Sequence, residues 1–450
     1  MISPSVIAAR VAAQFPDAVA ALKALVRIPS YAGDSAPPGV LDRSAAEVVR
    51  LLESVGAQDV EVVSAGGGPA VIGHLDVDPN VPTVLLYAHH DVQPVAADWS
   101  TDPWTPVEKA GRLYGRGAAD DGAGIVTHIG ALRALGEDLR VNVRFFIEGE
   151  EESGSPTMDK MLDTYRDRLD ADLVVVADSD NKAVDTPSLT VSLRGLAELT
   201  VTLRVAHHAI HSGMCGGVFL EAPMVLAKLL ATLHDDEGAV AVPGLVATGT
   251  SPVQLSEAEL RQNAGLVDGL KLAGRGSLAD RLWWQPSITL IGFDSTTVAD
   301  SSNTIQPVAR AKLSIRVPPG MNPTEAQAAV RRHLESKVLF NAELTIEDGV
   351  VGEGFVADQS GPGFNAAAAA LADAFGVPAV PLGQGGSIPL AAELTATFPD
   401  MEVLLTGVED PDSRAHSGDE SVSLAMLEKV IVAEALLLDR LADQRRDAAG

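Results

Sequence analysis

Three short apolar runs, Thr83 to Ala88, Val141 to Glu148 and Leu173 to Ala177, each lead into imidazole or carboxylate side chains. Charged groups are costly in a core, so a buried run that stops on them reads as a strand reaching the edge of a sheet. The groups so placed are His89-x-Asp91, Glu150-Glu151-Glu152 and Asp178. Two more, Asp120-Asp121 and His416, lie beside glycine-containing turns. Side chains gathered from several strand ends require strands that run the same way. In such sheets ligands collect beyond the carboxyl ends.

The surrounding pattern agrees. Val6 to Val26, Arg43 to Ser54 and Asp121 to Leu135 carry apolar residues at helical spacing. Asp59 to Ser64 and Ala70 to Leu75 are short strand-like runs bounded by Gly, Pro and Asn. Strands alternating with helices predict an α/β fold, a sheet covered by helices on both faces. From Gly195 the rhythm changes. Strands Leu196 to Val205, Ser287 to Phe293, Ala309 to Val317 and Ala342 to Asp348 alternate with helices Glu221 to Leu233 and Pro323 to Glu335. That order, β-α-β-β-α-β, is the ferredoxin-like α+β unit. A Pro- and Gly-rich insertion at about 235–286 reads as a loop. After about Gly352 the first rhythm returns, with helix Phe364 to Phe375, strands near Val380 and Val403, and helix Ser421 to Leu441. At 450 residues the chain exceeds one ordinary core. It divides into a first domain of residues 1–194 and 353–450, with residues 195–352 inserted as a second.

A net charge of -28, from 61 acidic and 33 basic residues, argues against nucleic acid and anionic membranes, whose partners carry basic patches. The single cysteine, Cys215, excludes an intrachain disulfide and a thiolate metal cluster, and fits a reducing cytoplasm. The first 19 residues include Arg10 and Asp17 and lack the apolar core of a secretory leader. The longest uncharged stretch, Gly238 to Ser256, is broken by Pro243, Gly244, Gly249 and Pro252, so no membrane span is expected.

Neutral imidazoles and carboxylates suit zinc or manganese, and the reaction class they imply is hydrolysis by a metal-activated water, at two metals. In LLYAHHDVQP (85–94), His89 and Asp91 share one side of an extended segment, while His90 points away. A ligand with its orienting carboxylate fits that geometry. In LYGRGAADDGAG (113–124), Asp120 opens a helix, where capping is the competing explanation. Three glutamates in FFIEGEEESGSP (145–156) repel one another unless a cation neutralises them. VVVADSDN (174–181) offers Asp178, with Asp180 as the alternative, and DSRAHSGDE (412–420) supplies His416.

Taken in order, His-x-Asp-Val-Gln-Pro, Gly-Arg-Gly-x-x-Asp-Asp, Glu-Gly-x-Glu-Glu-Ser-Gly-Ser and Ala-His-Ser resemble the motifs of one family. This is the dinuclear-metal aminopeptidase-like family of carnosine dipeptidases, aminoacylase and glutamate carboxypeptidase. The resemblance runs from about residue 20 to 440, and the Asp-Val-Gln-Pro and Glu-Glu-Ser-Gly-Ser variants are similar to the cytosolic non-specific dipeptidase branch. It implies an aminopeptidase-like catalytic domain with a mixed sheet, and an inserted ferredoxin-like lid and dimerisation domain. It implies two divalent metals per subunit, zinc foremost, with manganese or cobalt as alternatives. His89 and Asp178 would hold one metal, Glu152 and His416 the other, and Asp120 would bridge them. Asp91 would orient His89 and Glu151 would be the general base. The peptide after the bridging aspartate, Asp120-Asp121, is expected to be cis.

The same resemblance extends into the inserted domain. His211 in AIHSGMCGG (209–217) would reach the partner subunit's site in a homodimer and stabilise the oxyanion. Asn303 in SSNTIQP and Arg316 in LSIRVPP resemble substrate-gripping residues. Arg316 interrupts an otherwise apolar strand, and a buried arginine calls for a carboxylate. Back in the catalytic domain, GQGGSIP (383–389) resembles a loop that contacts the substrate backbone through Gly385, Gly386 and Ser387. The implied activity is hydrolysis of short peptides with a free C-terminal carboxylate, dipeptides first. Deacylation of N-acyl amino acids is the alternative at the same site.

Overall fold

Runs such as TVLLYAH and LVVV have no polar face, which suits strands buried on both sides. A computed structural model describes residues 1–33, 36–95, 98–386 and 389–448 of the chain. They cluster into two units. Unit 1 takes in residues 1–191, 357–382 and those from 389 onward, and unit 2 residues 192–356 with 383–386.

In unit 1 the strand Thr83–His89 lies between Asn142–Glu148 and Leu173–Val176, parallel to both. Glu402–Leu405 extends this parallel set beside Leu173–Val176. Antiparallel strands flank it. Ala70–Leu75 pairs with Asn142–Glu148, Gln58–Val63 with Ala70–Leu75, and Ser188–Leu193 with Glu402–Leu405. The sheet is therefore mixed, with a parallel centre. His89 stands opposite Glu148 and Tyr87 opposite Val176, so the segments after these strands leave from one edge. Val84, Leu86 and Ala88 join a core with Leu22, Ile125, Ile129 and Leu427, while Leu85 and Tyr87 are buried on the opposite face.

The helix Pro4–Val26 is long and apolar enough to cross a membrane. Here one side of it packs on the helices Gly122–Leu135 and Leu424–Ala448. Arg10 and Gln14 tie it down by donating to the carbonyls of Ala134 and Gly130. Two of these helices are also joined by a buried pair, His128 Nδ1 and Glu434 Oε1, 2.8 Å apart. Burial alone would lower the His128 pKa, but the Glu434 charge and hydrogen bond override it and hold the imidazole above its ordinary value. A raised folded-state pKa stabilises the fold fully below the unfolded value, about 6.5, and that contribution is lost as pH rises through the folded value. The Tm gap between wild type and Glu434→Gln should accordingly be widest near pH 6 and close as pH rises. A gap independent of pH would show that the pair is not an ion pair.

Unit 2 holds a four-stranded antiparallel sheet in the order Ser287–Asp294, Val308–Val317, Gly195–Arg204, Glu343–Gly352. Numbered along the chain, that is 2-3-1-4, the ferredoxin-like arrangement. Gly195–Arg204 alternates strictly between buried and half-buried positions. Its buried face packs with the helices Ala222–Leu230 and Pro323–Lys337.

Two expectations change. Ser421–Ser423 is not helical but a short strand pairing with Arg112–Tyr114, which in turn pairs with Val107–Lys109. The helix starts at Leu424 because the Ser423 hydroxyl accepts from Met426 N–H and caps it. The 235–286 insertion is not all loop. It carries the helices Glu257–Asn263 and Leu278–Trp283, capped by Ser256 and Ser277.

Candidate metal centre

The parallel edge of unit 1 gathers two ligand groups, His89, Asp120 and Asp178, and Asp120, Glu152 and His416. Asp120 belongs to both. His89 Nε2 is 2.9 Å from Asp120 Oδ1 and 3.9 Å from Asp178 Oδ2. His416 Nε2 is 2.9 Å from Asp120 Oδ2 and 3.1 Å from Glu152 Oε2. Each carboxylate oxygen of Asp120 thus serves one group. Asp180 is exposed and stands outside both, and His90 turns away, its Nε2 bonding the Pro69 carbonyl at 2.9 Å.

Each ligand is held by the backbone around it. Asp121, not Asp120, caps the helix Gly122–Leu135, accepting from Gly124 N–H at 3.0 Å and also from His89 N–H at 3.2 Å. That leaves Asp120 free to face the imidazoles, and the peptide between the two aspartates is cis. Asp91 accepts from the N–H groups of Glu151 and Glu152 at 3.2 and 3.0 Å. Its carbonyl is 3.0 Å and its carboxylate 3.5 Å from His89 Nδ1, so it sets both the ring and the glutamate turn. Glu150 is fully engaged elsewhere, accepting from Gly68 N–H and from the Thr157 N–H and hydroxyl.

Four holding residues had no role in the sequence reading. Gln93 donates its N–H and side-chain amide to Glu152 at 3.0 and 2.8 Å. Glu420 is fully buried, paired with the equally buried Arg116 at 2.6 Å. It also accepts from the N–H groups of Gly117, Ala119 and Asp120. One carboxylate thereby joins the turn carrying Asp120 to the loop carrying His416. Within that loop Arg414, His416 and Asp419 all have positive φ, a conformation non-glycine residues keep only when their surroundings impose it. Arg112 supplies part of the constraint, bonding Asp410, Ser413 and Ser421.

The charges of this site do not balance by themselves. Burial pushes the Glu151 carboxyl up to about 9, with Asp178, Glu152 and Asp120 adding to it against His89. Burial likewise raises Asp178 to about 7. The Asp120 and Glu152 carboxylates lift His416 to about 10. His89 sits well above its ordinary value because Asp120, Asp91 and Asp178 outweigh its burial. His89 Nε2 is buried and, though close to Asp120, has no aligned hydrogen bond among the described residues. A lone pair turned towards a cation shared with that carboxylate accounts for both facts. Two imidazoles and three carboxylates form a donor set that fits two divalent cations.

The other described residues singled out from the sequence lie in unit 2, including Gly385 and Gly386, which the sequence placed in the first domain. His211 ends the short strand Ile210–His211, opposite Thr304, and is exposed; its Nδ1 accepts from Gly213 N–H at 3.0 Å. Asn303 meets the same segment through its carbonyl, which accepts from Ser212 N–H at 2.8 Å. Arg316 does not enter the core. It is half-buried on the sheet's other face, because alternation from Ile315 and Val317 turns it outward. Gly385 gives its carbonyl to Arg194, and Gly386 stands in open space. Ser387 lies outside the described residues.

Known proteins are similar to this chain over most of its length. The model of peptidase family M20/M25/M40 matches residues 85–440. A cysteinylglycine-S-conjugate dipeptidase of Corynebacterium striatum is 33% identical over 406 residues, covering 88% of this chain and 89% of its own. A β-Ala-His dipeptidase of Rattus norvegicus is 30% identical over 378 residues, covering 79% and 76%. The solved structure of human carnosine dipeptidase 1 aligns with a TM-score of 0.79 at 26% identity, over 98% of this chain and 99% of that one. By motif, site and overall sequence, the chain belongs to peptidase family M20/M25/M40.

Proposed function

We propose that this protein is a dinuclear metallopeptidase that hydrolyses dipeptides with a free C-terminal carboxylate. The observation that carries the reading is the pair of ligand groups sharing Asp120, with Glu151 beside them in the glutamate turn. The dipeptidase names of its relatives favour peptides over N-acyl amino acids. His89 and Asp178 would hold one cation and Glu152 and His416 the other, with Asp120 belonging to both groups. Zinc is the first choice, manganese or cobalt the alternatives, since cellular availability decides among similar ions. When bound, such a pair polarises the scissile carbonyl and acidifies a water.

The chain's own residues do the rest. Glu151 is the general base, taking the proton from the attacking water and passing it to the leaving amine nitrogen. Its side chain has no hydrogen bond among the described residues, so it is free to turn between the two. Asp91 holds the Glu151 and Glu152 amides and the His89 ring, fixing base and ligands in one frame. Residues 195–352, the lid and dimerisation domain, supply Arg316 for the substrate carboxylate and Asn303 for its backbone, where the loop carrying Gly385, Gly386 and Ser387 also serves. His211 serves the site of a second copy in a homodimer. Leu290, Ile291 and Phe293, exposed on the edge strand Ser287–Asp294, support a docking role for this unit. The enzyme works in the cytoplasm, in keeping with its single free cysteine.

The test is a substrate panel. Chelator-stripped protein should be inactive, and zinc or manganese should restore cleavage of plain dipeptides. Restored activity confined to N-acetyl amino acids would move the assignment to a deacylase.

A further inference from the structure

The outward face of the unit 2 sheet carries a row of basic side chains. Most are matched: Lys312 pairs with Glu198 at 2.8 Å, Arg310 with Glu347 at 3.6 Å and Arg204 with Glu343 at 3.8 Å. Arg316, in the same strand and on the same face, has no ion pair among the described residues. Arg194 has none either, although it is only 8% exposed. In a chain with 61 acidic residues to 33 basic, an unmatched pair of guanidiniums is unexpected.

These two arginines meet on one patch. Arg316 lies in the ladder between Leu196 and Ser287. Ser287 Oγ accepts from Arg194 Nη1 at 3.1 Å, which places the Arg194 head beside Arg316's cross-strand neighbour. The remaining partners of Arg194 are neutral and long, the Gln285 carbonyl at 3.4 Å and the Gly385 carbonyl at 3.3 Å. Nη2 has no hydrogen bond among the described residues. A Cβ at residue 385 would stand 2.9 Å from that nitrogen, so glycine keeps the space beside it clear. Burial and the Arg316 charge together depress Arg194 to about 10, the direction expected of a cation short of an anion. Carbonyl and hydroxyl acceptors can aim a guanidinium, but only an anion neutralises two.

We propose that Arg194 and Arg316 together form a two-guanidinium seat for the substrate's terminal carboxylate. In it Arg194 determines specificity and is aimed by Ser287, Gln285 and Gly385. This rests on the proposed peptidase reading. Arg316 alone would be a point contact shared with water. With Arg194 behind it, the seat should discriminate strongly against substrates that end in a neutral amide.

The test compares wild type, Arg194→Gln and Arg194→Lys on a dipeptide and on its C-terminal amide, with folding checked by Tm. Wild type should prefer the free acid. Arg194→Gln should reduce the acid-over-amide ratio of kcat/KM by about tenfold, the scale of one charge-assisted hydrogen bond, with the loss falling more on KM than on kcat. Arg194→Lys should recover part of it. Equal losses on acid and amide, an unchanged ratio, or no acid preference in wild type would each overturn the proposal. A second arm needs no turnover: calorimetric binding of a dipeptide with a reduced peptide bond, as acid and as amide. Should wild type cleave no peptide at all, the peptidase reading falls, and this arm still decides Arg194 by whether the acid preference drops in Arg194→Gln.

Discussion

Replacing Glu151 with glutamine is expected to lower kcat for dipeptide cleavage by about 10²–10⁴-fold, the usual weight of a positioned general base. Glutamine has the same shape but cannot take up the proton that a carboxylate would. Burial pushes the Glu151 carboxyl up to about 9, and the Asp178, Glu152 and Asp120 charges add to it against His89. A base so placed works near neutral pH only when cations offset those charges, so its tuning and the metal centre are one device. Because the neutral amide relieves like-charge crowding, Glu151→Gln should keep or raise the Tm and bind the same number of cations. Activity and Tm measured on one preparation check both halves. A variant that retains more than a tenth of wild-type turnover would remove Glu151 from the chemistry.

The second large effect lies away from the reacting atoms. Glu420→Ala leaves Arg116 charged and buried, and leaves the N–H groups of Gly117, Ala119 and Asp120 without their acceptor. Breaking a buried ion pair from one side costs about 3–5 kcal/mol. Removing a group that positions metal ligands weakens metal binding by about 10–100-fold. The expected result is a lower Tm together with weaker cation affinity, because the Asp120 turn and the His416 loop lose their shared anchor. Glu420→Gln, able to satisfy some of the N–H groups, should fall between. Thermal unfolding and metal titration of the three proteins measure this. Wild-type affinity in Glu420→Ala would mean that the two ligand segments hold themselves in place.

The parts of this design that show in the sequence are those with a period. Unbroken apolar runs ending on His89, the glutamates and Asp178 mark parallel strands, because such strands have no wet face to encode. The ferredoxin-like order of unit 2 shows because one face of its sheet lies on the helices and the other does not, which leaves the alternation seen along Gly195–Arg204. The holding residues have no such signature. Arg116 and Glu420 are 304 positions apart, and each reads as an ordinary polar residue in a turn. Gln93 sits inside a motif, but nothing in its spacing says that it grips Glu152. Adjacent aspartates at 120 and 121 are equally good caps on paper, and only the backbone path gives that task to Asp121. The helices of the insertion did have a local signal, Ser256 followed three residues on by Glu259, a capping pattern surrounded by Pro and Gly.

The central claim is that Asp120 joins two cation seats that act together. Chelator-stripped protein should be titrated with zinc, and separately with manganese, while dipeptide cleavage and bound metal are followed in the same samples. Activity should rise until two equivalents per chain are bound, and Asp120→Asn should lose both the second equivalent and the turnover. Full activity at a single equivalent, or in protein stripped of metal, would contradict the account.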